Sequence, residues 1–263
     1  MRIVTWNINS VRLRIDLVRR VADALEPDVL CLQEIKSQNE TFPAKDCEAM
    51  GFPHQLVRGM KSYNGVAILS RAQLEGGDTR DWCGRVDSRH VAGLVAGGAA
   101  EIHNFYVPAG GDEPDPAVNE KFAHKLDFLK EAEAWSKGLA ADRRCILVGD
   151  LNIAPLETDV WSHTQLLNVV SHTPVEVEGL NRWMAGHGWV DAVRRIVPES
   201  ESLYSWWSYR NKEWPGSDRG RRLDHIWVSP ALAGAVKDAG VYRDARGWEK
   251  PSDHAPVWAD IDL

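Results

Sequence analysis

At 263 residues the chain is long enough to bury a sizeable core. With 44% hydrophobic and 26% charged residues its composition is that of an ordinary globular protein, and no apolar run approaches the roughly 20 residues needed to cross a bilayer. A net charge of −7 and a pI near 5.7 argue against a uniformly basic surface that coats nucleic acid, while leaving room for a local basic face.

The opening MRIVTWN lacks the charged, apolar and small-residue regions of a signal peptide, so a cytoplasmic location is expected. Cys31, Cys47, Cys83 and Cys145 are scattered without disulfide or metal spacing, and Cys31 and Cys145 sit inside apolar runs. Most of the twelve tryptophans are expected to be packing residues.

Arg2–Asn9 reads as a strand, followed by helical spacing from Val11 to Leu25 at Val11, Ile15, Val18 and Leu25. Asp28–Glu34 is a second buried strand ending on polar residues, and Asn64–Ser70, His90–Ala96 and Glu101–Pro108 follow as further strands. A long helix is expected from about Pro116 to Leu139, with Val118, Phe122, Leu126, Leu129 and Ala132 on one face. Beyond it come the apolar strand in RRCILVGDLNIAP, a helix around Gly179–Gly186, and two last strands at Arg222–Ser229 and His254–Leu263. No composition break or low-complexity linker divides the chain, so residues 1–263 are read as a single α/β domain, with two sheets favoured over one by the strand count.

In RRCILVGDLNIAP, the apolar run Cys145–Val148 is followed at once by Asp150 and Asn152. On extended backbone these two would point to the same side. One reading is a plain turn, since Asp, Asn, Gly and Pro all favour turns. The other is a polar pair at the carboxyl end of a core strand, where α/β proteins often bind ligands.

The other strand ends favour the second reading. Asn7 closes the first strand, Glu34 the second and Tyr106 a later one; Asp224 lies within RRLDHI, and Asp253–His254 opens the last strand. Each alone has a dull explanation as a turn, a cap or a surface histidine. Together they supply what hydrolysis of a phosphodiester requires. The substrate is anionic and its leaving oxygen departs with negative charge, so a hard divalent cation held by oxygen ligands is needed. Glu34, with Asn7 and Asp253, can offer those oxygens, and Asp150 suits a base that orients and deprotonates water. Asn152 and His254 can donate to the charge that builds on the pentacovalent oxygens, with Asp224 holding the second nitrogen of His254.

The segments TWNINS (Thr5–Ser10), LQEIK (Leu32–Lys36), YNGVAILS (Tyr63–Ser70), NFYVPAG (Asn104–Gly110), VGDLNIAP (Val148–Pro155), YSWWSYR (Tyr204–Arg210), RRLDHI (Arg221–Ile226) and SDHAPV (Ser252–Val257) occur in one order across the chain. In this the sequence resembles the exonuclease III type of apurinic/apyrimidinic endonuclease, within the endonuclease/exonuclease/phosphatase superfamily. The resemblance implies a four-layer α/β sandwich, two packed mixed β-sheets flanked by helices. It also implies a magnesium ion, for which manganese substitutes, at Asn7, Glu34 and Asp253. Asp150, Asn152 and His254 match the water-activating and transition-state groups, sometimes assigned a second metal. Tyr106 matches a tyrosine near the scissile phosphate, and Asp224 matches the partner of the histidine.

The same resemblance points to a substrate. Tyr106 stands where the deoxyribonuclease-like and phosphatase-like branches usually carry a second histidine, which favours the abasic-site branch. Trp206, with Leu223 nearby, matches the wall of a pocket for a flipped-out abasic deoxyribose, which admits a sugar without its base and rejects an intact nucleotide. Trp207 is expected in the core. Where some relatives carry another aromatic before the RLD segment, this chain has Arg221, implying a looser or more polar pocket wall and a more prominent exonuclease activity. Tyr63, with Arg58 and Lys61, matches a loop that contacts DNA beside the lesion. Between Arg210 and Arg222 five cations face two acids, a local excess of +3.

The implied protein is therefore a monomeric DNA-repair hydrolase that incises duplex DNA 5′ to abasic sites, trims blocked 3′ ends and degrades recessed duplexes 3′ to 5′. A phospholipid or inositol-phosphate diesterase would call for a membrane-seeking loop or a second histidine, and neither is present. A non-catalytic DNA-binding module would be expected to lack some of the matched catalytic positions, and none is missing.

Overall fold

The computed structural model describes residues 1–263. In chain order its strands are β1 (Arg2–Asn7), β2 (Val29–Gln33), β3 (His54–Arg58), β4 (Val66–Ser70), β5 (Glu75–Gly76), β6 (His90–Val95), β7 (Ala100–Tyr106), β8 (Cys145–Asp150), β9 (Val190–Asp191), β10 (Trp206–Trp207), β11 (Gly220–Arg221), β12 (Asp224–Val228), β13 (Val236–Val241) and β14 (Val257–Ile261). They form one six-stranded sheet in the order β13-β14-β1-β2-β4-β3 and a second in the order β5-β6-β7-β8-β12-β9, with β10 and β11 as a separate ribbon. Both sheets are mixed, because β1–β2 and β7–β8 pair in parallel while their other neighbours are antiparallel.

Alternation along the central strands divides the apolar residues among three layers. Ile3, Cys31, Ile68, Ile102, Ile146, Val148, Ile226 and Val257 fill the space between the sheets. Val4, Trp6, Leu30, Leu32 and Leu69 face outward against Leu17, Val18, Val21 and Leu25 of the helix Ile15–Leu25. On the far side Phe105, Leu147 and Trp227 meet Phe128, Leu129 and Trp135 of the helix Glu120–Lys137 and Leu180 and Trp183 of the helix Pro174–His187. The result is helices, sheet, sheet, helices. The central strands are buried on both faces, which explains their continuous apolar runs. No helix is long and apolar enough to cross a membrane.

Helix boundaries differ from the expectations in instructive ways. The first helix starts at Ile15, after a turn at 11–13. The long helix starts at Glu120, where the Asn119 side chain accepts from the Lys121 N–H, so Val118 precedes the cap and is 73% exposed rather than on the core face. The helix expected around Gly179–Gly186 begins earlier, at Pro174: Thr173 and Glu176 form a reciprocal capping box and Pro174 takes the first turn. The last strand begins at Val257, leaving Asp253 and His254 on the loop before it.

Topology places the polar strand ends on one edge. The carboxyl ends of β1, β2, β7 and β8 share it with the amino ends of the antiparallel β12 and β14, and Asp224 lies directly opposite Asp150 in the register.

Candidate active site

Asp150 is the last residue of β8, and Asn152 has left the strand, with φ near +55°. The two do not share a face of extended chain as expected. Instead the Asn152 N–H donates to Asp150 Oδ1 at 2.9 Å, closing an Asx turn. The turn reading holds, and Asp150 and Asn152 also line a cleft of about 810 Å³ with Glu34, Tyr106, Asp253 and His254. The Asn152 side chain donates to Val107 O at 3.0 Å, and the Asn152 backbone carbonyl accepts from Lys125 Nζ at 2.8 Å.

Asn7 does not line the cleft; it lies fully buried beneath it and bridges two of its carboxylates. Its Nδ2 donates to Glu34 Oε1 and to Asp150 Oδ2, both at 2.9 Å, while its Oδ1 accepts from the Asn9 N–H at 3.1 Å. Glu34, also at positive φ, receives the Tyr106 hydroxyl at 2.8 Å and pairs with Lys36 at 2.7 Å. Burial would raise the Glu34 pKa, but Lys36, Asn7 and Tyr106 together hold it below the ordinary value. Burial beside Glu34 and Asp150 pushes the Tyr106 phenol well above its usual range, so it remains a donor.

On the other wall, His254 Nδ1 lies 2.8 Å from Asp224 Oδ2 and its Nε2 lies 3.7 Å from Asp150 Oδ2. Burial alone would lower the His254 pKa, but the flanking Asp224 and Asp150 outweigh it and the ring is held protonated. Asp150 shifts upward, chiefly through burial and further through Asp224 and Glu34, with His254 and Asn7 opposing. Asp253 is held as an anion by His254, Trp206 and Asn9 despite burial; Trp206 Nε1 donates to its Oδ2 at 3.0 Å and Asn9 Nδ2 to its Oδ1 at 3.1 Å.

Four carboxylates (Glu34, Asp150, Asp224, Asp253) therefore face two cations, Lys36 and the His254 imidazolium, leaving a local charge of −2. A hard divalent cation suits that deficit and that oxygen donor set. Asp150, Asp224 and His254 bring their ligand atoms within 4.8 Å of one another. His254 is already hydrogen-bonded to Asp224 and within ion-pair distance of Asp150, however, and Asp224 does not line the cleft, whereas Glu34 and Asp253 present carboxylates to it. We favour Glu34 and Asp253 as the cation's holders on that ground.

Beside this centre the cleft continues into a pocket bordered by Trp206, Arg221 and Leu223. Trp206 and Trp207 point to opposite sides, Trp206 to the pocket and Trp207, with no exposure, into a cluster with Tyr204 and Ala255. Arg58, Lys61 and Tyr63 do not line the cleft. Arg58 is tied to Asp81 and to the carbonyls of Arg80 and His90, while Tyr63 is 69% exposed. Residues that sequence reasoning did not single out also serve the site. Asn9 and Lys36 lie inside two of the quoted motifs, and Ser205, which donates to Asp224 at 2.6 Å, inside a third. Lys125 had no such signal.

The profile of the "Endonuclease/Exonuclease/phosphatase family" matches residues 4–254. Exodeoxyribonuclease III of Haemophilus influenzae is 31% identical over 280 residues, covering 99% of this chain and 100% of that protein. The structure of an AP endonuclease from Archaeoglobus fulgidus superposes with a TM-score of 0.91 at 31% identity, and the 3′ phosphatase NExo from Neisseria, bound to a product DNA hairpin, with 0.90 at 32%; both alignments cover 100% of each chain.

Proposed function

The chain belongs to the endonuclease/exonuclease/phosphatase family, and from that premise we propose that it is a divalent-metal-dependent DNA-repair phosphodiesterase. It cleaves the DNA backbone 5′ to abasic sites, trims 3′ ends and acts as a 3′-5′ exonuclease on duplex DNA. The observation that carries this reading is the junction of the acidic centre, with Glu34, Asp150, Asp253 and His254, to a pocket walled by Trp206 and Leu223 in one continuous cleft. The names of the relatives support it: one is an exodeoxyribonuclease III, one an AP endonuclease and one a 3′ phosphatase solved with DNA.

In this reading Glu34 and Asp253 hold a magnesium ion, for which manganese substitutes, and Asn7, assigned with them from the sequence, lies buried beneath the cleft and fixes the Glu34 carboxylate. When bound, the ion neutralises phosphate charge and stabilises the departing oxygen. Asp150, whose proton affinity is raised by its burial, orients a water and takes its proton. The imidazolium of His254, fixed by Asp224, donates to a phosphate oxygen, the second proton of the Asn152 amide donates beside it, and the Tyr106 hydroxyl, which donates to Glu34, lies next to the scissile phosphate. The scissile bond lies between phosphorus and the 3′ oxygen, so the upstream strand leaves with a 3′-hydroxyl.

Trp206 and Leu223 accept a sugar without a base, and Arg210, Lys212, Arg219 and Arg221 supply positive charge along the DNA backbone. Lys61 and Tyr63 contact the duplex beside the lesion, while Arg58 is held by Asp81. The enzyme acts as a cytoplasmic monomer, residues 1–263 forming its single catalytic domain.

The test is a duplex carrying one tetrahydrofuran residue, assayed with magnesium and with chelator beside an undamaged recessed duplex. Magnesium-dependent incision 5′ to the tetrahydrofuran is expected. Its absence rejects the reading.

A further inference from the structure

The loop that carries Asn152 is held through three successive backbone carbonyls. Asn152 O accepts from Lys125 Nζ at 2.8 Å, Ile153 O from His225 Nε2 at 2.8 Å and Ala154 O from His172 Nδ1 at 2.6 Å. The donors come from the helix Glu120–Lys137, from β12 and from the turn just before the helix Pro174–His187. They stand 27, 72 and 18 positions from the carbonyls they hold, and all three are buried.

Each donor is itself fixed from behind. A carbonyl oxygen only accepts, so the ring nitrogen that faces it carries the proton. In a neutral imidazole the other nitrogen is then a lone pair, and here both lone pairs meet donors. His163 Nδ1 lies 2.8 Å from His172 Nε2, and the Arg222 guanidinium lies 3.1 Å from His225 Nδ1. Burial lowers the His172 pKa, and burial with Arg222 lowers that of His225 to about 4, which keeps both rings neutral at neutral pH. Lys125 is set by its ion pair with Glu176 at 2.5 Å.

This support falls where the chemistry is aimed. Asn152 sits at φ near +55°, and its N–H closes the Asx turn on Asp150 Oδ1. Its side-chain amide is tied to Val107 O at 3.0 Å, leaving one N–H for the cleft. Neither His172 nor His225 lines that cleft, so both reach it only through the loop.

We propose that His172 and His225 are positioning residues for the reaction: with Lys125 they clamp the Asn152–Ala154 loop and keep the Asn152 amide aimed at the phosphate. This rests on the proposed nuclease activity and deepens it.

The experiment measures kcat and KM for incision of the tetrahydrofuran duplex in magnesium, with urea unfolding alongside. His172→Phe and His225→Leu remove the donors and should each lower kcat about tenfold while KM moves less than about twofold, since a small misplacement far from the chemistry costs rate. His172→Asn and His225→Gln put an amide N–H near the lost one and should restore kcat to within about threefold of wild type.

The deciding readout is the cycle with Asn152→Ala. If the histidines act through Asn152, their kcat losses should shrink to less than about twofold in that background, because contributions of coupled groups do not add. Losses of full size there, or losses that the amide variants do not rescue, assign both histidines a merely structural role and overturn the inference. So does an unchanged kcat in His172→Phe and His225→Leu. Failure of the wild-type protein to incise tetrahydrofuran overturns the nuclease reading instead. Should an apolar variant not fold, His225→Gln against His225→Asn reads the same contrast, because only the longer amide reaches Ile153 O.

Discussion

His254 and Asp224 are joined by a 2.8 Å hydrogen bond between Nδ1 and Oδ2 although 30 positions separate them. Both are buried, and Ser205 donates to the same Asp224 oxygen. The bond keeps a proton on Nδ1 and favours the imidazolium, which leaves Nε2–H directed at the Asp150 side of the cleft. Asp224→Asn should therefore lower kcat on the tetrahydrofuran duplex by roughly two to three orders of magnitude, within the range of general acid–base contributions. KM should change much less. A KM effect equal to the kcat effect would point to substrate binding instead.

Asp150→Asn keeps the Asx turn, because the amide oxygen can still accept from the Asn152 N–H, but removes the base. Cleavage should fall by at least about a hundredfold. His254→Ala should do the same, and both proteins should retain binding to the uncleaved duplex in chelator. Activity surviving in both would remove Asp150 and His254 from the chemistry.

The neighbouring tryptophans should separate cleanly. Trp207→Ala deletes a fully buried ring and should cost about 3–5 kcal/mol in denaturant unfolding. Trp206→Ala, at a half-buried position on the cleft, should destabilise less while cutting incision at tetrahydrofuran relative to exonuclease digestion of an undamaged end. An equal loss of both activities would mean that Trp206 does not set lesion preference.

Lys125 and Glu176 form an ion pair with no exposure, and Lys125 also donates to the carbonyls of Asn152 and Ala109. Lys125→Met strands a buried carboxylate and should cost about 3–5 kcal/mol. The double replacement Lys125→Met with Glu176→Gln should recover more than half of that loss in urea unfolding. Equal stability of the single and double variants would show that the pair contributes through shape alone.

Stability should fall on mild acidification. Burial and the adjacent Arg222 push the His225 pKa down to about 4, with Nδ1 facing the guanidinium and Nε2 facing Ile153 O. His90, buried beside His103, is also held well below the ordinary range. Because the folded values lie below the unfolded ones, both contributions are complete above about pH 6.5 and decline as the pH falls, where the unfolded chain binds the extra protons. The slope should reach up to ~1.4 kcal/mol per pH unit for each histidine. His225→Gln should flatten the curve between pH 8 and pH 5, and an unchanged slope would count against the assignment.

Much of the architecture is legible in local pattern. Continuous apolar runs mark β1, β2, β4, β8 and β12, and the Thr173–Pro174–Glu176 signal marks a helix start even though apolar spacing alone suggested a later one. Short or half-buried elements are less visible. The edge strand β3 is intermediate in burial throughout, and β13 has two exposed residues, so neither carries a clear apolar period. Val118 shows the opposite error: it fits the helical spacing, but the Asn119 cap starts the helix after it.

By itself the sequence determined which groups sit at strand ends, because a strand's apolar run and the polar residue that closes it are neighbours along the chain. Asn7, Glu34, Tyr106 and Asp150 were readable in that way, whereas His254, expected to open the last strand, lies on the loop before it. Only the tertiary structure decided that parallel and antiparallel strands deliver those ends to one edge, that Asn7 spans two carboxylates, and that Lys125 braces Asn152 from a distant helix. It alone separated Arg58, spent on Asp81, from Arg221, left without a counter-ion. The reason is physical: charge compensation and burial depend on partners far away in sequence, and no local spacing records which of them a folded chain has already used.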